Sequence, residues 1–256
     1  MLRLRRDLGD AALVRLARQL GDGLLKSAEY SAGGCSWRSD TFRYQHNLLG
    51  FSHGTAGVAY ALLELYHATD EAQYLRVAED ALRYERQFFN SDVGNWPDFR
   101  EESERPRRKG PLSYKIFWCH GAPGIALSRL RAYQITGNEA YSQEAEIALN
   151  TTRAAVVASM QSRRADYSLC HGLPGNADVL ISRYQVLGLA RTDDIRLARQ
   201  VAVAIAQFPG LGDVESPGLM LGLAGAGYFF LRLGNAEVPS VLLPHAGSDL
   251  PGEKEM

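Results

Sequence analysis

Two cysteines and several histidines lie at matching positions of a repeated motif. The motif is Gly-x-x-Gly, and its four copies begin at Gly54, Gly121, Gly172 and Gly222. Cys119-His120 directly precedes the second copy, and Cys170-His171 directly precedes the third. Two thiolates and an imidazole suit zinc, which prefers four ligands in tetrahedral geometry. The pattern therefore predicts a zinc site formed by Cys119, Cys170 and His171.

The residues leave two alternatives to this three-ligand site. Free cysteines are often buried in protein cores without binding a metal, although two at matched positions beside histidines favour a metal. His120 could also join the other three residues in a closed Cys2His2 site with a purely structural role. Three protein ligands would instead leave the fourth position open for water or substrate.

His53 precedes the first copy of the motif and has no cysteine beside it. An unperturbed histidine titrates close to neutral pH, so His53 is a candidate general acid or base near the metal. The alternative is a histidine that only packs at the end of a helix. Cys35, in the loop-like stretch Gly33-Gly-Cys-Ser-Trp37, is not a candidate ligand.

Each copy of the motif opens an apolar stretch of helical length, and amphipathic segments lie between these stretches. Their apolar residues follow the i, i+3, i+4, i+7 rule in three rows: Tyr74, Ala78, Ala81 and Phe88; Ala145, Ala148, Leu149, Thr152 and Val156; Ile195, Ala198, Ala202 and Ile205. The expected unit is an outer amphipathic helix followed by an inner apolar helix. Four such pairs predict an all-α fold, a partial α/α toroid with few or no strands. A solvated surface loop is expected at about 90–113, and a C-terminal tail at about 235–256.

Length and composition suit one domain over residues 1–256, because 46% of the residues are hydrophobic and 22% are charged. The net charge of −1 gives no reason to expect nucleic acid or an anionic membrane as a partner. The longest apolar run, Leu219 to Leu231, is too short to span a bilayer. The start at Met1 lacks the apolar core of a signal peptide, so a cytoplasmic location is expected.

Three segments resemble signature motifs of the LanC-like family: Gly50-Phe-Ser-His-Gly-Thr-Ala-Gly57, Trp118-Cys-His-Gly-Ala-Pro-Gly124 and Ser168-Leu-Cys-His-Gly-Leu-Pro-Gly175. The chain is most similar to the C-terminal cyclase domain of class II lanthipeptide synthetases, which are lantibiotic-modifying enzymes. Asn95-Trp-Pro-Asp98 and the tail from Ser216 to Pro244 also look like that domain.

The resemblance implies a toroid of seven hairpins with Zn²⁺ at the rim of its inner ring. It implies Cys119, Cys170 and His171 as ligands, His120 as a neighbour that does not bind the metal, and His53 as the catalytic acid/base. The implied reaction is a Michael-type addition of a cysteine thiol of a lanthipeptide precursor to dehydroalanine or dehydrobutyrine, which forms lanthionine.

About four of the seven hairpins can be counted, so we expect a domain shortened at its N-terminal side. Such a chain is expected to bind zinc but to be a poor cyclase alone, and to work with a separate chain that supplies the front of the domain or the dehydratase. The alternative function is a non-catalytic zinc-binding or peptide-binding remnant. Another toroid enzyme, such as a glycosidase or terpene cyclase, ranks last because no carboxylate cluster lies at the repeat starts. The sequence does not identify the precursor peptide.

Overall fold

The structure, a computed structural model, describes residues 11–39, 46–100, 112–162, 166–187, 192–208, 216–235 and 237–243. The helices are α1 (Ala11–Ser27), α2 (Thr55–Thr69), α3 (Ala72–Arg86), α4 (Ala122–Thr136), α5 (Glu139–Met160), α6 (Leu173–Leu187), α7 (Thr192–Ala206) and α8 (Leu223–Gly234). One antiparallel pair of short strands, β1 (Glu29–Ser31) and β2 (Gly34–Ser36), connects α1 to the loop before α2. The predicted all-α fold is confirmed.

The four inner helices are α2, α4, α6 and α8, and each begins directly after the first glycine of a motif copy. Helix α4 is the most enclosed, since every residue from 122 to 132 is buried. Pro123 lies in its first turn, where the missing N–H leaves no intrahelical bond unmade. A helix buried on all sides needs an outer layer around it.

The outer helices α1, α3, α5 and α7 bury one face only. In α5 the predicted row of five residues is fully buried: Ala145, Ala148, Leu149, Thr152 and Val156. Inner helices α2, α4 and α6 each pack most extensively against the outer helix that follows, and not against the preceding one as the predicted unit implied. Two-residue connections explain this, because α2 and α4 end at left-handed C-caps, Asp70 and Gly137, and the chain turns back at once.

The predicted loop-like stretch around Cys35 is a strand instead. Cys35 lies in β2, is fully buried, and its thiol donates a hydrogen bond to the Val77 carbonyl at 3.5 Å. Burial, followed by the nearby Asp80 carboxylate, raises the pKa of the Cys35 thiol to about 12. Cys35 is therefore an unreactive core thiol, because the nucleophile and metal ligand is the thiolate.

Buried arginines on the inner helices pair with carboxylates of neighbouring helices. Arg129 on α4 is fully buried and lies 3.0 Å from Glu85 of α3 and 2.7 Å from Glu144 of α5. Arg183 on α6 bridges Glu146 and Asp194 in the same manner. Removing one partner of a buried pair leaves an uncompensated charge, which typically costs about 3–5 kcal/mol. These ion pairs fix how the inner and outer layers are aligned.

The expected surface loop at 90–113 is wrong for residues 95–99, although residues 91–93 are exposed. Residues 95–99 are buried, with Trp96 3% and Phe99 1% exposed, because these aromatic side chains pack on the core beside Phe88 and Phe89. The charged residues 101–111 lie outside the described residues. So does most of the expected tail, although residues 240, 242 and 243 are buried. Among the described helices, none has the length and apolar character needed to cross a membrane.

Candidate metal centre

The four motif copies form four similar turns at the starts of the inner helices. In each turn, a Cβ atom on the second glycine would collide with the carbonyl oxygen six residues earlier. The pairs are Gly57 with Phe51, Gly124 with Trp118, Gly175 with Leu169, and Gly225 with Leu219. Close backbone approach therefore explains the repeated glycine, which is required whether or not the turn carries a reactive side chain.

Neighbouring turns contact each other through their backbones. The Ser52 N–H of the first turn donates to the Cys119 carbonyl of the second at 3.2 Å. The Cys170 N–H of the third turn donates to the Met220 carbonyl of the fourth at 2.9 Å. These bonds join the first turn to the second and the third to the fourth, and the four turns together form the rim at the N-terminal ends of the inner helices.

Cys119, Cys170 and His171 converge at this rim. Their potential ligand atoms all lie within 4.8 Å of one another. Two sulfurs bound to one tetrahedral zinc at 2.3 Å would be ~3.8 Å apart, so small side-chain adjustments would accommodate the ion. Cys119 is 1% exposed, whereas Cys170 and His171 are half-buried, which leaves one side of the cluster accessible. The donor set and its spacing fit zinc.

A hydrogen bond joins the two thiols. The Cys119 thiol hydrogen-bonds to Cys170, and this bond, together with burial, raises the pKa of Cys119. The same hydrogen bond lowers the pKa of Cys170, because it stabilises the thiolate. Cys170 is therefore the thiol that ionises first, and a cation bound beside both sulfurs would favour ionisation of Cys119 as well.

His120 does not join this cluster in the structure. Its side chain is 2% exposed, and its Nε2 atom makes no hydrogen bond within the described part of the chain. Burial lowers the pKa of His120 to about 4, and Arg100 and His53 add to the effect against the attraction of Asp98. The arrangement favours three protein ligands with an open position over the closed four-ligand site.

His53 lies on the first turn, next to His120. The two imidazole rings stack with centroids 5.5 Å apart and planes 19° apart, and His53 remains exposed on its other side. Partial burial, followed by the charge of Arg100, lowers the pKa of His53. His53 is therefore a mostly neutral, accessible imidazole held at the rim near the thiol cluster.

Asp98 and Arg100 belong to the site, although the polar character of their segment predicted a surface loop. Asp98 accepts from Arg100 Nε at 3.0 Å and from Arg100 Nη2 at 2.7 Å, and its Oδ1 lies 3.8 Å from His120 Nδ1. Burial opposes ionisation of Asp98, but the hydrogen bonds from Arg100 outweigh it and lower the pKa of Asp98. The sequence did contain one indication that this polar stretch is buried, namely the apolar residues Trp96, Pro97 and Phe99 within it.

Glu85 anchors the turn that carries His53. Its fully buried carboxylate accepts a hydrogen bond from the Gly50 N–H at 2.8 Å and forms the ion pair with Arg129. Gly50 has φ +91°, and a Cβ there would press on the Cys119 carbonyl. An outer helix thus holds the first turn against the second.

The chain matches the family described as lanthionine synthetase C-like protein over residues 2–243. The chain belongs to this family. Two relatives of the LanC-like chain are "Lacticin 481/lactococcin biosynthesis protein LcnDR2" of Lactococcus lactis subsp. lactis and "Glutathione S-transferase LANCL1" of Danio rerio. The first is 24% identical over 153 residues, 57% of this chain and 15% of that protein. The second is 22% identical over 143 residues, 56% of this chain and 32% of that protein.

Two solved structures share the fold of the LanC-like chain. Nisin cyclase superposes with a TM-score of 0.58 at 20% identity, over 74% of this chain and 47% of nisin cyclase. The GH76 α-mannanase of Bacteroides thetaiotaomicron superposes with a TM-score of 0.61 at 14% identity, over 91% of this chain and 65% of the mannanase. The predicted family and the predicted partial α/α toroid are confirmed. A lanthipeptide-related protein and a mannanase share this fold, so function has to be argued from the site.

Proposed function

We propose that this LanC-like chain is a zinc-dependent cyclase unit that forms lanthionine in a lanthipeptide precursor. The supporting observation is the convergence of Cys119, Cys170 and His171 within 4.8 Å on the rim of a LanC-like fold. Zinc held by these residues would act as a Lewis acid that binds a substrate cysteine thiol as thiolate in the remaining position. Two protein thiolates offset the charge of the ion, so the substrate sulfur keeps its nucleophilic character.

The peptide reaction joins the cysteine sulfur to the β-carbon of dehydroalanine or dehydrobutyrine. The thiol loses a proton, a C–S bond forms, and a proton is added at the α-carbon, so the product has the same mass as the substrate. His53 is the proposed proton carrier, because its imidazole is accessible at the rim and stacks on His120, which directly follows Cys119 in the chain. Its lowered pKa keeps it mostly neutral at pH 7, which lets it accept a proton before it returns one.

His120, Asp98 and Arg100 support His53 in this proposal. The His120 ring packs against the His53 ring, and Asp98 Oδ1 lies 3.8 Å from His120 Nδ1. A buried, neutral His120 gives His53 a fixed surface without adding a second charge. Arg100 keeps Asp98 ionised and in place through its paired hydrogen bonds.

A peptide that contains one dehydro residue and one cysteine tests the proposal. Ring closure does not change the mass, so the remaining free thiol is labelled with N-ethylmaleimide and unlabelled peptide is counted as cyclised. Since the chain spans 47% of nisin cyclase, the assay is run with the chain alone and with an added polypeptide that carries the rest of a LanC-like domain. Zinc per chain is measured in parallel.

We expect about one zinc per chain and zinc-dependent protection of the peptide thiol. His53→Asn should retain zinc and thermal stability but slow ring closure by about 10²–10⁴-fold, the usual contribution of a general acid or base. Cyclisation at the unchanged rate in this variant would exclude the proposed role of His53. The absence of zinc from the wild-type protein would exclude the metal site.

The alternative is a non-catalytic module that binds zinc and peptide. The observation that favours it is that a mannanase shares this fold, so the fold alone does not imply ring closure. This alternative predicts stoichiometric zinc and peptide binding without loss of free thiol in either form of the assay. Because one relative is named a glutathione S-transferase, glutathione replaces the peptide cysteine in a further reaction, where addition to the dehydro residue increases the mass.

A further inference from the structure

Three of the four rim turns are closed by the same backbone hydrogen bond. The N–H of the first helical residue donates to the carbonyl seven residues earlier: Thr55 to Leu48 at 3.0 Å, Leu173 to Asp166 at 2.8 Å, and Leu223 to Ser216 at 2.9 Å. This bond joins the start of each turn to the start of its inner helix. It recurs whether the turn carries a histidine, the Cys170-His171 pair, or only apolar residues.

The second turn, which carries Cys119, is closed differently. The equivalent groups are the Ala122 N–H and the Lys115 carbonyl, and the side chain of Asn95 lies between them. Its Oδ1 accepts from Ala122 N at 2.9 Å, and its Nδ2 donates to Lys115 O at 2.9 Å. Asn95 is 1% exposed. One carboxamide therefore satisfies both backbone groups that pair directly in the other three turns.

The backbone at the first glycine of the second turn also differs. Gly121 has φ +99°, a conformation that residues with side chains rarely adopt, whereas Gly54 and Gly222 have φ −134° and −139°. Asn95 Oδ1 lies against the position that a Cβ of Gly121 would occupy. The inserted amide and the altered backbone thus occur together, in the one turn that presents Cys119.

This difference bears on how the thiols meet. Packed helices lie about 8–10 Å apart, so identical turns on adjacent helices would present equivalent side chains at roughly that spacing. The ligand atoms of Cys119 and Cys170 lie within 4.8 Å, although both residues occupy the same motif position. Of these two turns, the third keeps the common closure and the second departs from it.

We propose that Asn95 is a positioning residue that holds the second turn open and directs Cys119 towards Cys170 and His171. The inference rests on the proposed function only for the identity of the metal. A simple helix-capping role would also bury an asparagine here, since asparagine is a good N-cap residue. The two roles predict different effects of removing the amide, because Ala122 N–H and Lys115 O could then pair directly as in the other turns.

The main variant is Asn95→Ala, and its matched control is Asn138→Ala. Asn138 caps α5 by accepting the Ala140 N–H at 3.0 Å, at the opposite end of α4 from the rim, and bridges no second backbone group. Asn95→Asp is the second variant, since its carboxylate still accepts from Ala122 N–H but cannot donate to Lys115. Zinc affinity is measured by competition with a chromophoric chelator, and ligand geometry by the absorption spectrum of the Co²⁺-loaded protein.

Zinc binding by Asn95→Ala should weaken about 10–100-fold, the range seen when supporting residues of a metal site are removed. Asn95→Asp should lose zinc affinity in the same direction. The Co²⁺ spectrum of both should change. Asn138→Ala should lower the thermal midpoint yet keep zinc affinity within about twofold and leave the spectrum unchanged. Wild-type zinc affinity in both Asn95 variants would overturn the proposal.

A metal-free measurement separates this inference from the proposed function. Phenylarsine oxide condenses with two nearby thiols, forming two As–S bonds and releasing water, so it reports whether Cys119 and Cys170 meet. Wild-type protein should bind one equivalent, since Cys35 is buried apart from them in β2. Asn95→Ala should bind it at least tenfold more slowly than Asn138→Ala does. Equal rates in these variants would overturn the role of Asn95 even if zinc binds, and a difference would support it even if zinc does not.

Discussion

The second and fourth rim turns share one glycine contact but differ in chemical content. Both place a glycine against a carbonyl six residues earlier, at Gly124 and at Gly225. The fourth turn has Met220 and Leu221 where the second has Cys119 and His120. Leu221 is 58% exposed, whereas His120 is 2% exposed. The glycine contact is therefore a structural requirement of the toroid, and the reactive side chains are additions to it.

The fourth turn nevertheless contributes to the site. The Met220 carbonyl accepts the Cys170 N–H at 2.9 Å, so an apolar turn supports the turn that carries a proposed ligand. Between the second and third turns, the described residues show the contact of the Cys119 and Cys170 thiols in place of a backbone hydrogen bond at this position. The proposed metal would thus join two turns at the place where the repeated backbone contact is absent.

The largest expected effect is on zinc content, and it distinguishes the proposed ligands from a neighbouring histidine that is not a ligand. Cys170→Ala should reduce zinc from about one per chain to nearly none, since a tetrahedral site with two protein ligands is much weaker than one with three. His120→Ala should retain zinc, because His120 lies outside the cluster of ligand atoms. Both are measured by metal analysis after dialysis against a weak chelator. Equal loss in the two variants would support the closed four-ligand site instead.

The sequence was sufficient for the parts of this site that depend on repetition. Matched motif positions identified Cys119, Cys170 and His171 as neighbours, and the apolar period identified the buried face of α5. The contribution of Asn95 and Asp98 to the site could not be predicted from the repeat. Both residues lie between α3 and α4, outside every motif copy, and their contacts with the rim depend on the tertiary fold. The sequence also could not identify the carboxylates that pair with Arg129. The periodicity of apolar residues shows which face of a helix is buried, but not which carboxylate lies opposite that face.

A second test asks whether the two turns share one backbone requirement. Gly225→Ala and Gly124→Ala each place a Cβ against a carbonyl oxygen. Each should lower the free energy of unfolding by about 3 kcal/mol, the upper part of the usual range for overpacking. Gly227→Ala is the control, because nothing lies within 4 Å of a Cβ there. It should raise stability by about 0.5–1 kcal/mol, as expected for alanine in place of glycine inside a helix.

These stabilities are measured by urea unfolding of metal-free protein. If only Gly124→Ala is destabilising, the fourth turn does not carry the same constraint, and the common role of the four glycines is wrong. If Gly124→Ala and Gly225→Ala are destabilising to a similar degree, the repeated glycines are required by the fold and not by the chemistry of the site. The pattern would then be uninformative about which copies carry chemistry.

The smallest expected effect is the pH dependence of stability that His120 causes. Leu221 occupies the equivalent position in the fourth turn. Leu221 cannot titrate, whereas burial lowers the pKa of His120 to about 4 from an ordinary value of 6.5. Between these two values the unfolded chain binds more protons than the folded protein, so stability falls as the pH is lowered from 6.5 towards 4. The loss from this group between pH 7 and pH 5 is about 2 kcal/mol.

The measurement is urea unfolding of metal-free protein at pH 7 and pH 5, in the presence of a chelator. The variant His120→Gln removes the titrating group but keeps a polar side chain, and it should lose about 2 kcal/mol less than the wild type over this range. The sign of the difference is decisive, because two effects act on His120 in opposite directions. If the attraction of Asp98 at 3.8 Å exceeded the effect of burial, the pKa would be raised, and wild-type stability would increase relative to the variant as the pH falls. A loss of the expected sign would show that burial dominates, and that His53 stacks on a neutral imidazole at neutral pH.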